Sequence, residues 1–305
     1  MILINLLRLI LVYGGGRTPV RKLVFTVVFL LAVAPLAACD LVRGGSPQVL
    51  ATTTILADMA KQVAGDRLTL GSIVPAGVHV EEYQPRPDDA KRMADARLVI
   101  TNGLDLDTWV EPLLRNTKEG TPVVVVSEGP TEIDENPHMW FDPSLARRHV
   151  DAIRDALIAL DPQGRDAYTT RARAYDEELV KLDAELRAKL AVIPKERRKL
   201  VTSHDQFPYF AKAYDFEVVG FAQPEPGKPP SAGELAELIE AVKAAKAPAI
   251  FSEAGVSPQL AETVARETGA KVVTDLPTDS LMDAPANTYV GYMRVLVDKI
   301  VAALK

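Results

Sequence analysis

Residues 163–192, QGRDAYTTRARAYDEELVKLDAELRAKLAV, contain no proline and no glycine after Gly164. Tyr168, Ala172, Tyr175, Leu179, Leu182, Leu186 and Leu190 recur every three or four residues, the period of one helical face. At about 1.5 Å per residue such a helix is a rod of roughly 45 Å. Pro194 stops it. The chain on either side of the rod has a different texture.

Before it, VLATTT, LTLGSIVP, RLVITNG and TPVVVVSEG read as strands, separated by helical patterns in ILADMAKQVAG, PDDAKRMADA and DTWVEPLLRNTK. The same rhythm restarts near Arg198, with KLVTS, FEVVGFA, PAIFSEAG and KVVTDL as strands. Between them SAGELAELIEAVKAAKA reads as a helix whose Ser231 and Glu234 form a capping box, and NTYVGYMRVLVDKIVAALK closes the chain as a helix. Strands alternating with helices argue for βαβ units, and continuous apolar strands suit parallel sheets buried on both faces. The expected fold is therefore α/β: two Rossmann-like lobes with mainly parallel sheets, over 48–162 and 198–305, joined by one long backbone helix over 163–193.

Residues 1–38 carry Arg8, Arg17, Arg21 and Lys22 and no acid, and end in an apolar run followed by small residues. This is the layout of a secretory signal peptide. The run is too short and wrongly flanked for a membrane-spanning helix. LAAC at its end is similar to the bacterial lipobox, which makes Cys39, the only cysteine, the expected lipidation site, followed by a polar linker over 39–47. Removing four basic residues from 35 leaves 31 against 41 acids, a net of about −10. A domain of that sign is a poor nucleic-acid binder.

Only four histidines occur. His79 follows the strand ending near Pro75, His138 lies in the loop after VVVV, and His204 ends KLVTSHD. Asp279 follows KVVT. All four sit at or beyond the carboxyl ends of expected strands, where open α/β sheets place their ligands. Three imidazoles and a carboxylate make a four-ligand set for a divalent transition metal. Taken one at a time, each histidine reads equally well as a hydrogen-bonded loop residue.

The segments GVHVEEYQPRPDD, NPHMWFDP, VTSHDQFPYFAKAYDF, IFSEAGVSPQLAETVARETGAKV and TDS occur in the order found in the solute-binding proteins of zinc and manganese ABC transporters. The chain resembles that family from about Gln48 to its C-terminus. The resemblance implies two lobes bridged by a rigid helix, with the metal between them and His79, His138, His204 and Asp279 as its ligands. It also implies delivery to an ABC permease, a lipid anchor at Cys39 on the periplasmic or extracellular face, a monomer, and no enzymatic activity. Manganese members typically carry a carboxylate where His204 stands. Three imidazoles favour zinc, with manganese as the alternative. The His-rich loop of many zinc members is absent: SEGPTEIDENPH holds no histidine before His138. Pro137 and Trp140 are expected to fix the His138 loop.

Asp205 is a candidate to orient a ligand from behind, and Glu253 to do the same or to stand by as a ligand itself. His149, inside a helical pattern beside two arginines, is expected to be solvated or to pack between helices. Trp109, Trp140 and the Phe207, Tyr209 and Phe210 cluster are expected in the core. Two rival classes stand against transport. In an exported zinc hydrolase Glu253 would act as base, and in a cell-adhesion protein the metal would be only structural.

Overall fold

The computed structural model of the chain describes residues 47–129, 133, 135–223 and 227–305. The signal segment 1–38, Cys39 and nearly all of the 39–47 linker lie outside the described residues, as do parts of the acidic stretch before His138 and of the proline-rich loop 223–231.

Short runs of three to six residues form the strands. Val49–Ala51 (β1), Leu70–Ser72 (β2), Leu98–Thr101 (β3) and Val123–Val125 (β4) make one all-parallel sheet in the order β2-β1-β3-β4. Lys199–Thr202 (β5) pairs in parallel with Glu217–Phe221 (β6), and Ala249–Glu253 (β7) with Lys271–Leu276 (β8). β5 and β7 lie alongside one another. The helices between these strands are Thr54–Ala64 (α1), Pro87–Asp95 (α2), Glu111–Leu114 (α3), Pro143–Leu160 (α4), Arg165–Leu190 (α5), Pro208–Tyr214 (α6), Ala232–Ala245 (α7) and Gln259–Thr268 (α8). Tyr289–Leu304 (α9) follows β8. Parallel strands need such crossovers, which is why strand and helix alternate.

The rod is α5, 26 residues long. It is shorter at both ends than the proline-free run. At the N-terminal side Pro162–Gly164 forms a separate turn, with the Tyr168 ring packed where a Gly164 side chain would stand. At the C-terminal side the helix gives way at Ala191 before Pro194. Its buried residues are Tyr168, Ala172, Tyr175, Leu179, Leu182, Leu186 and Leu190, the seven positions of the apolar stripe. That face packs against α1 and α4 from the first half and against α9 from the second. One hydrophobic cluster consequently runs from Val49 to Leu304, while a smaller one, including Val201, Val242, Ile250 and Val264, lies under α7 and α8.

His149, on α4, is fully buried and neither ring nitrogen has a hydrogen-bond partner. Burial and the neighbouring Arg148 charge pull its pKa down to about 4, so it packs as a neutral ring and is not solvated. Among the described residues no helix is long and apolar enough to cross a membrane.

Leu182 is 1 % exposed at the middle of the α5 stripe, whereas Val180 on the opposite face is 49 % exposed. Leu182→Ala should lower unfolding stability by about 2–5 kcal/mol. Val180→Thr should change it by about 0.5 kcal/mol or less. Urea unfolding of the two variants checks the orientation of the spine.

Candidate metal centre

Each donor lies on a segment that follows a strand and is braced by a different contact. His79 lies in the loop after β2. Gly77, in the left-handed region at φ +74°, donates its N–H to Ser280 Oγ at 2.9 Å and carries the chain past Gly255, at φ +81°. Downstream the Val80 carbonyl accepts the indole N–H of Trp109 at 2.8 Å. His138 precedes a single helical turn, Met139–Phe141, whose side chains are buried. Tyr289 Oη donates to the Trp140 carbonyl at 2.6 Å, and Asn102 Nδ2 to the Pro137 carbonyl at 3.2 Å. His204 follows β5 directly. Asp279 follows β8, where Tyr292 Oη donates to the Thr278 carbonyl.

These braces bring the four sequence candidates together. His138 Nε2 and His204 Nε2 are 3.2 Å apart. His79 Nε2 lies 3.0 Å from Asp279 Oδ2, and His138 Nε2 lies 3.9 Å from Asp279 Oδ1. His138, His204 and Asp279 are each at most 4 % exposed. Both Asp279 carboxylate oxygens are buried without a hydrogen bond, although His79 is within ion-pair distance of one of them.

The other ring nitrogens fix the tautomers. Asn136 Oδ1, which already accepts the His138 backbone N–H, also accepts from His138 Nδ1 at 3.0 Å. Glu253 Oε1 accepts from His204 Nδ1 at 2.9 Å, and Glu253 Oε2 accepts from Thr278 Oγ1 at 3.0 Å. An imidazole protonated at Nδ1 turns its Nε2 lone pair inward, as metal ligation requires. Glu253 thus stands behind His204 and also comes within 3.4 Å of His79 Nε2. The Asp205 carboxylate is exposed, and this residue meets the site through its backbone carbonyl, which accepts from Asn136 Nδ2 at 2.8 Å.

The electrostatics are those of a tightly paired interior cluster. Burial lowers the His79 pKa, but the Asp279 and Glu253 carboxylates outweigh it and raise the group to about 11. Burial likewise opposes His204, and Glu253 with Asp279 raises it to about 9. His138, buried and beside the His204 charge, falls to about 3. Burial would raise Glu253 and Asp279. The imidazoles overcome it and hold both carboxylates below their ordinary range.

Sequence reasoning missed Glu81. Its carboxylate lies 3.8 Å from His138 Nε2 and 3.6 Å from His204 Nε2, and with His79, His204 and Asp279 it offers donor atoms all within 4.8 Å of one another. Burial raises its pKa to about 7. The sequence held only a weak signal, two adjacent glutamates after His79. The cavity beside His79 and Asp279 holds about 10 Å³.

The profile of the ZnuA family, described as the periplasmic component A of the zinc-uptake complex, matches residues 49–303. The chain belongs to the ZnuA family. It is 35 % identical to the iron-binding protein YfeA of Yersinia pestis over 83 % of this chain and 85 % of that one. It is 30 % identical to the manganese-binding lipoprotein MntA of Halalkalibacterium halodurans over 93 % and 99 %. Among solved structures, the periplasmic zinc-binding protein TroA of Treponema pallidum superposes with a TM-score of 0.77 at 33 % identity, covering 85 % of this chain and 99 % of its own. A manganese-bound periplasmic metal-binding protein from Candidatus Liberibacter asiaticus gives 0.77 at 32 % identity, covering 84 % and 99 %. The chain is thus an extracytoplasmic metal-binding component of ABC import, with the α/β architecture of these proteins.

Glu253→Gln keeps the shape of this side chain and removes the charge that orients His204. Zinc affinity should fall by about 10–100-fold while the fold is retained. Isothermal titration with circular dichroism as the folding control measures both. Unchanged affinity would mean that His204 needs no carboxylate behind it.

Proposed function

We propose that the chain captures zinc outside the cytoplasmic membrane and passes it to an ABC permease, anchored by lipid at Cys39 and acting as a monomer without catalysis. The observation that carries this reading is Asp279. Its carboxylate is buried and accepts no regular hydrogen bond: His79 Nε2 stands at ion-pair distance, 3.0 Å from Oδ2, and His138 Nε2 lies 3.9 Å from Oδ1. A buried carboxylate needs a cation beside it, and a divalent ion would serve both oxygens at once. His79, His138, His204 and Asp279 would hold it as three nitrogens and one oxygen, a set that suits zinc. Four protein donors leave no open position for the water that a hydrolase needs.

Residues 48–162 and 198–305 are the proposed lobes, with 163–193 as the spine between them. Because α5 packs on helices from both halves, capture is expected to involve a small lobe shift and ordering of the donor loops, not a wide clamshell. Manganese is the second reading, supported by the Glu81 carboxylate at the site and by relatives named for manganese and iron.

A competition titration tests both. The compact unit Ser46–Lys305 is stripped with chelator and offered zinc and manganese together. One tightly held zinc per chain, lost in His138→Ala, is the expected result. Preferential manganese would overturn the metal, and no stoichiometric metal would overturn the function.

The pH dependence follows from the two raised imidazoles. A group with a raised pKa is protonated below that pKa, so His79 (about 11) and His204 (about 9) both carry protons at neutral pH before metal binds. His138, at about 3, carries none at its inward nitrogen. Metal must displace two protons, so affinity should weaken by up to about 100-fold per pH unit as pH falls from about 7.5 to about 5.5. Calorimetry in buffers of different ionisation enthalpy counts the protons. Zero released would rule out this ligand set.

A further inference from the structure

We propose that Glu81 is a fifth donor to the ion and the residue that sets how well this site holds an oxygen-preferring metal. The inference rests on the metal-capture reading above. Glu81 lies two residues past His79 in a turn closed by the Tyr83 N–H on the Val80 carbonyl at 3.2 Å. That turn is pinned on both sides. Trp109 donates to the same Val80 carbonyl, the Tyr83 and Trp109 rings meet edge to face at 5.0 Å, and Tyr83 Oη donates to Asp89 at 2.7 Å. The neighbouring Glu82 is exposed, while the Glu81 side chain is only 18 % exposed and points inward, its Oε2 buried without a hydrogen-bond partner.

The spacing is that of donors around one ion. Ligand atoms about 2.1 Å from a metal stand about 3.4 Å apart in a tetrahedron and about 3.6 Å apart in the equatorial plane of a five-coordinate site. His138 Nε2 and His204 Nε2 are 3.2 Å apart, and the Glu81 oxygens lie 3.8 and 3.6 Å from them. Glu81 therefore reaches the shell with little motion and turns three nitrogens and one oxygen into three nitrogens and two oxygens. Nitrogen donors favour zinc, whereas manganese is suited by carboxylate oxygens. The fifth donor thus narrows the gap between the two metals.

Cobalt(II) spectroscopy with Glu81→Gln tests this, because four-coordinate cobalt absorbs much more strongly in the visible than five-coordinate cobalt. The wild-type protein should give the weaker five-coordinate bands and the variant the stronger four-coordinate ones. Manganese affinity should fall about tenfold or more in the variant and zinc affinity by less than about threefold. A four-coordinate wild-type spectrum, a spectrum the variant leaves unchanged, or an equal loss for both metals would overturn the assignment while leaving metal capture in place. A wild-type protein that takes up no stoichiometric cobalt, zinc or manganese would overturn both readings.

Discussion

The interior meeting of three imidazoles with the carboxylates of Glu81, Glu253 and Asp279 is the interaction to which the rest of the molecule is fitted. Burial acting alone would neutralise every one of these groups, and it does so for His138 and begins to for Glu81. Mutual pairing wins at His79, His204, Glu253 and Asp279, which stay charged. Two imidazolium protons then balance two carboxylates. A divalent ion brings the same charge as the two protons it displaces, so the exchange alters the identity of the buried cation and not the net charge of the interior. Breaking such a buried pair without replacement would cost about 3–5 kcal/mol, so the protein needs one occupant or the other.

That exchange demands donors held to fractions of an ångström, yet they come from loops as far apart in the chain as His79 and Asp279. The solution is cross-bracing between the two halves. Thr54 at the start of α1 accepts the Leu281 N–H at 2.8 Å, which seats the Asp279 loop on the first half. Asp58, also on α1, accepts the N–H of Tyr289 at 2.8 Å. Tyr292 joins the Trp140 indole to the Thr278 carbonyl, linking the His138 turn to the Asp279 loop. Since α5 and α9 carry one apolar cluster across the molecule, the two sheets cannot separate far without exposing it.

What was legible in the sequence was whatever depends on a one-dimensional period. The α5 stripe is such a case: 3.6 residues per turn and an uninterrupted run fix all seven buried positions. The strand-end histidines and Asp279 were legible because βαβ alternation sends every strand's carboxyl end to one rim. Glu81 was not, since nothing in a Glu-Glu pair says which carboxylate faces inward. That is decided by the turn that Val80 and Tyr83 close, which the sequence pattern does not encode. The exposure of Asp205 was not legible either. Adjacency to His204 makes it a candidate partner, but the chain bends at 203–205, burying His204 and leaving Asp205 exposed. His149 was ambiguous because one helix period permits either a solvated or a packed ring until the neighbouring helix is known.

Metal choice belongs to a still finer scale than the fold. Relatives between 30 and 35 % identical carry names of manganese and iron proteins, and a structure with a TM-score of 0.77 that of a zinc protein. A shared backbone therefore cannot assign the ion, and function has to be argued from the site. In this chain two side chains pull in opposite directions. As proposed ligands, His204 would add a nitrogen and draw the site toward zinc, while Glu81 would add an oxygen and draw it back. Glu253 biases that contest, because its bond to Nδ1 makes His204 a more basic, better-oriented donor. On the proposed ligand set, selectivity is then set by how far the Glu81 turn lets its carboxylate close on an ion held by the three imidazoles.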